Sequence, residues 1–212
     1  MEAVRVRFPD AHLTFHDRNS PAAIDLVEAG EADIAVAARF DEWPAKPTLE
    51  MLQFTQHPFV IAAQAGHPLL TAKSVALKDL ANYPLLLPGP AANCRPRLER
   101  ILREKRVWEQ LHIVLECSFP ASLFEYVEAG LGIALTPVPT ALLKNPQDGV
   151  ATLPGRSVAL RNLSDQLESE PLFYIHRRGW RETPIAGVLR EALFRRDSIE
   201  KALDSGKKVA IP

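Results

Sequence analysis

The tetrapeptide Val-Glu-Ala-Gly occurs twice, at residues 27–30 and 127–130, and each time it closes a helical pattern and opens an apolar run. A glycine directly after a helix supplies the left-handed stop that other residues adopt at a cost. The largely apolar runs that follow, Asp33-Ile34-Ala35-Val36-Ala37 in the first copy and Ile133-Ala134-Leu135 in the second, read as buried strands. Two lobes built on one helix–glycine–strand plan are therefore the first expectation. Short helices alternating with such strands argue an α/β fold with a parallel sheet covered on both faces.

The remaining segments fall into place around these two. Residues 2–8 read as helix ended by Pro9-Asp10, and residues 12–16 alternate as a half-buried strand with Leu13 and Phe15 on one face. Ser20-Pro21 predicts a helix start, with the Ser20 hydroxyl as cap and proline in the first turn. Strands are expected over 49–54, 58–63, 84–87, 112–117, 150–153 and 172–176. Lys78-Asp79-Leu80 predicts a short helix. A longer one over 97–105 turns Leu98, Ile101 and Leu102 inward and Arg100, Arg103 and Glu104 to solvent. A helix over 184–195 buries Ile185, Val188, Leu189 and Leu193, and the charged tail from Ser198 reads as fraying.

Composition narrows the function classes. A formal charge of −1 over 212 residues provides no basic field, so the chain by itself does not read as a nucleic-acid binder. Cys94 and Cys117 are its only cysteines and match no metal-ligand spacing. No metal or cofactor is expected, and a reducing, cytoplasmic setting fits. Charges interrupt the first residues where a signal peptide needs an apolar core, and no run is long enough to span a bilayer, so no membrane partner is expected.

Catalytic signatures are absent from the sequence: it contains no G-x-S-x-G elbow, no H-E-x-x-H, no phosphate loop and no dinucleotide fingerprint. Ser198-Ile199-Glu200-Lys201 matches S-x-x-K by letters alone, and His67 between Gly66 and Pro68 reads as a turn residue. Cys117 sits where a strand gives way to a helix, a place where a thiol can become a nucleophile. The other reading is a small buried side chain followed by a capping serine, and no histidine is placed to act as base.

Topology points to binding. In open parallel sheets, ligands collect beyond the carboxyl ends of strands, where helix N-termini present free N–H groups. Such junctions occur at Arg18-Asn19-Ser20, Ala92-Asn93-Cys94-Arg95 and Cys117-Ser118-Phe119, and Ala38-Arg39 places a cation past a fourth strand end. The candidate ligand residues are Asn19, Ser20, Ala38, Arg39, Asn93, Cys94, Arg95, Ser118 and Phe119. Ser20 and Asn93 read equally as helix caps, and Arg39 and Arg95 as solvated surface charges.

The segments LVEAGEADIAVA, FVIAAQAGHPLL, LKDLANYPLLLPG, ECSFPASLFEYVEAGLGIALTP and EPLFYIHRR, in this order and followed by a terminal helix, resemble the effector-binding domain of LysR-type transcriptional regulators. The likeness covers about residues 5–195. It implies a two-lobed fold of the type II periplasmic-binding-protein kind, lobe I comprising residues 1–62 and 173–197, lobe II residues 63–172, and 198–212 a tail. It implies a small polar or anionic effector in the inter-lobe cleft, with contacts at Asn19, Ser20, the loop after Ala37, Asn93, Cys94, Ser118 and Phe119. The fold is expected to be N-terminally truncated, since the family's helix-turn-helix and the first strand of lobe I have no counterpart in the sequence. DNA would be met only through that helix-turn-helix, and a homo-oligomer is implied for the full-length form. A stand-alone binding protein of the same fold, and an enzyme using Cys117, are the alternatives.

Overall fold

The structure, a computed structural model, describes residues 2–39, 46–143 and 150–204. The chain forms two compact units, Met1–Thr55 with Pro171–Pro212, and Gln56–Glu170; the resemblance implies joints at 62/63 and 172/173.

In the first unit, α1 (Glu2–Arg7) and α2 (Ser20–Ala29) precede β1 (Ile34–Ala38) and β2 (Leu49–His57). The second unit carries β3 (Phe59–Gln64), α3 (Pro68–Thr71), β4 (Pro84–Pro88), α4 (Cys94–Glu104), β5 (His112–Cys117), α5 (Leu123–Glu128), β6 (Ile133–Pro137), β7 (Val150–Thr152) and β8 (Val158–Asn162). The chain then returns through β9 (Glu170–Arg177) to α6 (Pro184–Asp204).

The second unit is built on a six-stranded sheet in the order β5-β4-β6-β3-β8-β7. Successive residues point to opposite faces of a strand, and the core sorts accordingly. Phe59, Ile61, Leu85, Leu87, Ile133 and Leu135 meet Leu98, Ile101 and Leu102 of α4 on one face. Val60, Ala62, Leu86 and Ala134 meet Leu123 and Val127 of α5 on the other. Both faces are dry, which is why β3 and β6 are near-continuous apolar runs. The sheet is mixed and not parallel as the sequence suggests: β4 runs parallel to β5 and β6, whereas β3 is antiparallel to β6 and β8. The connections through α4 and α5 are the crossovers that let β4, β5 and β6 lie parallel. β7 and β8 are joined by a short turn through Gly155, which can only return the chain antiparallel. The sequence reading misses β8. It has just three apolar residues, Val158, Ala159 and Leu160, and they are buried because β3 and β7 flank them.

The first unit has a three-stranded sheet in the order β1-β9-β2, with β1 and β9 antiparallel. Ile24 and Val27 of α2 cover Ala35, Ala37 and Ile175. Residues 12–16 are not a strand, and Phe15 is 68% exposed. Their alternating pattern finds no ladder among the described residues, and without paired N–H and C=O groups alternation does not make a strand. α6 continues to Asp204, and the rest of the expected tail, residues 205–212, lies outside the described residues.

Both glycines of the repeated tetrapeptide are left-handed stops, at φ 83° for Gly30 and 80° for Gly130. The N–H groups of Glu31 and Leu131 close back on the carbonyls of Leu26 and Tyr126. Gly132 carries a different constraint. It sits at φ 151°, and a Cβ there would lie 2.2 Å from the Pro84 carbonyl oxygen. Gly132→Ala should therefore cost about 3 kcal/mol or more, from strain and backbone overlap together. Gly30→Ala, where the nearest atom is the Arg177 side chain at 3.5 Å, should cost only about 1 kcal/mol. Urea denaturation of the two variants checks this ranking, and equal losses would contradict it.

Candidate functional site

In the first unit the helix start differs from expectation. Asn19, not Ser20, caps α2, its Oδ1 accepting the Ala22 N–H at 3.1 Å. Ser20 is the first helical residue, buried, and its Oγ accepts the Ala38 N–H at 2.9 Å. Two sequence candidates eighteen residues apart are thus brought together, and they satisfy each other. The hydroxyl ties the start of α2 to the end of β1, and the Ala38 N–H is not open to a ligand. Asn19 is exposed, and Arg39 is half-buried directly beyond β1.

In the second unit, β4 and β5 lie side by side with Pro88 opposite Cys117, so the turns that follow them are neighbours. The Gly89 N–H donates to the Cys117 carbonyl at 2.8 Å, joining the turns through their backbones. Asn93 is half-buried just before α4. Cys94 points into the core, and burial, then the nearby Glu170 carboxylate, push its thiol pKa up, so it packs as a small apolar group. Arg95 is buried rather than solvated. Its Nη1 donates to the Pro88 carbonyl at 2.8 Å and to the Glu116 carboxylate, and its guanidinium lies 4.9 Å from the centre of the Trp108 ring. These contacts turn Arg95 inward, so it is not the solvated surface cation that the sequence offers.

Ser118 and Phe119 are exposed, Phe119 by 63%. The expected helix at Ser118 begins later: a 3-10 turn at Pro120–Ser122 leads into α5 at Leu123. The turn 118–119 is left as open chain. The Cys117 Sγ donates to the Phe119 carbonyl at 3.3 Å, a contact that supplies no base for a nucleophile.

Sequence reasoning misses Trp108, Glu116 and Glu170. Glu116 occupies an exposed position of an alternating strand, where a glutamate is unremarked, and Trp108 follows a helix as many core aromatics do. Glu170 begins β9 and is buried beside the N-terminal turn of α4. Burial raises its pKa to about 7, with Arg97 opposing. Among the described residues, no group of three or more His, Cys, Asp or Glu side chains could hold a metal ion, and no helix is long and apolar enough to cross a membrane. Exposed hydroxyl and backbone groups at the strand ends can hydrogen-bond a small polar molecule.

Comparison with known proteins decides the family. The LysR substrate binding domain matches residues 1–198. This chain belongs to that family. Among LysR-family relatives, the HTH-type transcriptional regulator CysB of Burkholderia cenocepacia is 31% identical over 130 residues, 61% of this chain and 40% of its own length. An uncharacterized HTH-type regulator of Shigella flexneri, YfeR, is 28% identical over 131 residues, 62% of this chain and 41% of its own. The match thus spans about two fifths of each relative's length. The fold agrees with the effector-binding domain of QuiR in complex with shikimate, at a TM-score of 0.71 and 16% identity, covering 93% of this chain and 88% of that one. It agrees equally with the Synechocystis CcmR regulatory domain in complex with 2-PG, at 0.70 and 13%, covering 91% and 86%. The periplasmic-binding-protein-like architecture implied by the resemblance is the one found.

Two outcomes follow for this LysR-family domain. Ser20→Ala leaves the buried Ala38 N–H without an acceptor and should cost about 1–3 kcal/mol in denaturant unfolding. Glu170 binds its proton more tightly folded than unfolded, so its contribution to stability falls as pH rises from about 4.5 to about 7, then levels off. Glu170→Gln should therefore leave the melting temperature near that of the wild type at pH 4.5 and raise it at pH 8, by an effect on the order of 3 kcal/mol at most. An equal offset at both pH values would rule the linkage out.

Proposed function

We propose that this chain is the effector-sensing part of a LysR-type transcriptional regulator, and that it takes a small polar or anionic metabolite at its strand-end turns. The family match over residues 1–198 carries this reading. The two effector domains of like fold, one holding shikimate and one holding 2-PG, support a small-molecule ligand. In the second unit the ligand groups are Asn93, the Ser118 hydroxyl and the exposed Phe119 ring. In the first unit they are Asn19 and Arg39, while Ser20 and Ala38 act by fixing the turn that presents them. Cys94 and Arg95 serve from behind, as packing and brace.

Binding is reversible and non-covalent, and the domain has no catalytic step. It responds to effector by a shift between conformations whose affinities for the ligand differ. DNA contact belongs to a helix-turn-helix in the full-length form, which works in the cytoplasm as a homo-oligomer. With a net charge of −1, this chain adds no electrostatic grip on DNA.

A thermal-shift screen of polar and anionic metabolites tests the proposal. A true effector at a hundred times its Kd should stabilise the domain by about 2.7 kcal/mol. The shift should shrink in Ser118→Ala and Asn93→Ala. Metabolites that stabilise both variants as strongly as the wild type would place the site elsewhere.

A further inference from the structure

The two ligand turns of the second unit come from separate strands, yet they can present groups to one molecule only if held in a common register. The backbone bond from Gly89 to the Cys117 carbonyl is one tie. A second runs through a side chain that begins on α4, and nothing in the family match assigns it a role. We propose that Arg95 is a positioning residue that locks the β4–α4 turn to the β5–α5 turn, with Glu116 as its charged partner and Trp108 as its platform.

The geometry supports the assignment from three sides. Arg95 stands on the first turn of α4, and one guanidinium nitrogen reaches both the last residue of β4, at the Pro88 carbonyl, and the next-to-last residue of β5, at the Glu116 carboxylate. The Glu116 side chain is 39% exposed while that of Arg95 is 8%, so the carboxylate is reached from inside, and the pair is partly shielded from water. Trp108 lies against two guanidiniums, with Arg95 at 4.9 Å and Arg103 at 5.4 Å from the ring centre. Glu99 and Glu109 bond Arg103 from the solvent side, and Glu99 also lies 3.7 Å from the Arg95 Nε. An arginine buried against Trp108 and bonded through Nη1 to both strands has little rotamer freedom left, so it transmits position from one strand end to the other. A lysine has a shorter reach and, lacking the planar guanidinium, stacks less well on the indole.

The role rests on the reading that these turns bind the effector, but its test needs no ligand. Amide exchange at Gly89 reports the joint between the turns, and reaction of Cys117 with Ellman's reagent reports the turn at 118–119; Cys94, being buried, reacts slowly. Arg95→Met should speed Gly89 exchange about tenfold and Glu116→Gln roughly threefold, while the Val138 and Leu163 amides, bonded to Pro58 and Phe59 in the same unit, stay within about twofold of wild type. Cys117 labelling should accelerate in the same order, and Arg95→Lys should fall between wild type and Arg95→Met. Unchanged Gly89 exchange in both variants, or a rise shared equally by Val138 and Leu163, overturns the proposal. Should Arg95→Met not fold, Glu116→Gln on the domain surface decides it alone. A negative result leaves the effector reading standing, and an effector screen without hits leaves the brace standing.

Discussion

The constraint on which both units depend is the joint where a short helix stops and hands the chain to a strand. Each joint is made in the same way, a hundred residues apart. A buried valine, Val27 or Val127, anchors the last turn in the core. The glycine turns left-handed, and the glutamate between them grips the segment that lies alongside. Glu28 takes Lys46 at 2.6 Å and the Thr48 hydroxyl at 2.7 Å. Glu128 takes Arg156 at 2.9 Å and the Ser157 N–H at 2.9 Å. The helix-end carbonyls are answered too, Val27 by the Arg177 guanidinium at 2.6 Å and Glu128 by the Gln64 amide at 2.9 Å. Surface ion pairs of this kind are worth little singly. Here each carboxylate satisfies two donors at once, and the gain is orientation of the joint more than energy.

Fixing one end of a helix fixes the other. α2 and α5 run back from these joints toward the strand-end turns, so the turn at Asn19-Ser20 and the turn at Ser118-Phe119 inherit their positions from packing at the opposite end. The two are then finished differently. In the first unit, a buried serine hydroxyl bonded to Ala38 ties helix start to strand end. In the second, an arginine spans two turns at once. Both devices place polar contacts behind the exposed turns.

Much of this was legible because it obeys local rules. Helix stops at Gly30 and Gly130, the inward stripe of α4 and the bounds of β5 all follow from periodicity and backbone preference, and they coincide with the structure. The strand ends near Ala38, Pro88 and Cys117 were also legible in order along the chain, although the caps and helix starts beyond them fall on other residues than expected. Arg95 was not legible. Its neighbours Pro88 and Glu116 lie seven and twenty-one residues away, and nothing local distinguishes an arginine that turns inward to them from one that points to water. The alternation of residues 12–16 misled for a related reason, since a strand needs a partner that the segment itself does not contain.

The sequence alone determined the α/β class, the paired helix–glycine–strand units, the absence of a catalytic signature and the likeness to LysR effector domains, because propensity, period and motif order are local properties. Only the tertiary structure decided that the larger sheet is mixed, that β8 exists, and which polar residues face inward. It also decided why the second copy of the joint reads Gly-Leu-Gly where the first reads Gly-Glu-Ala. β6 runs beside β4, and the Pro84 carbonyl comes so close that residue 132 has no room for a Cβ. β1 has β9 for its neighbour, Ala32 is accommodated, and the Ala32 carbonyl accepts the Arg177 guanidinium at 3.0 Å. Two stretches with nearly the same local grammar therefore differ in the residues between helix stop and strand, because the neighbours that confine them come from elsewhere in the chain.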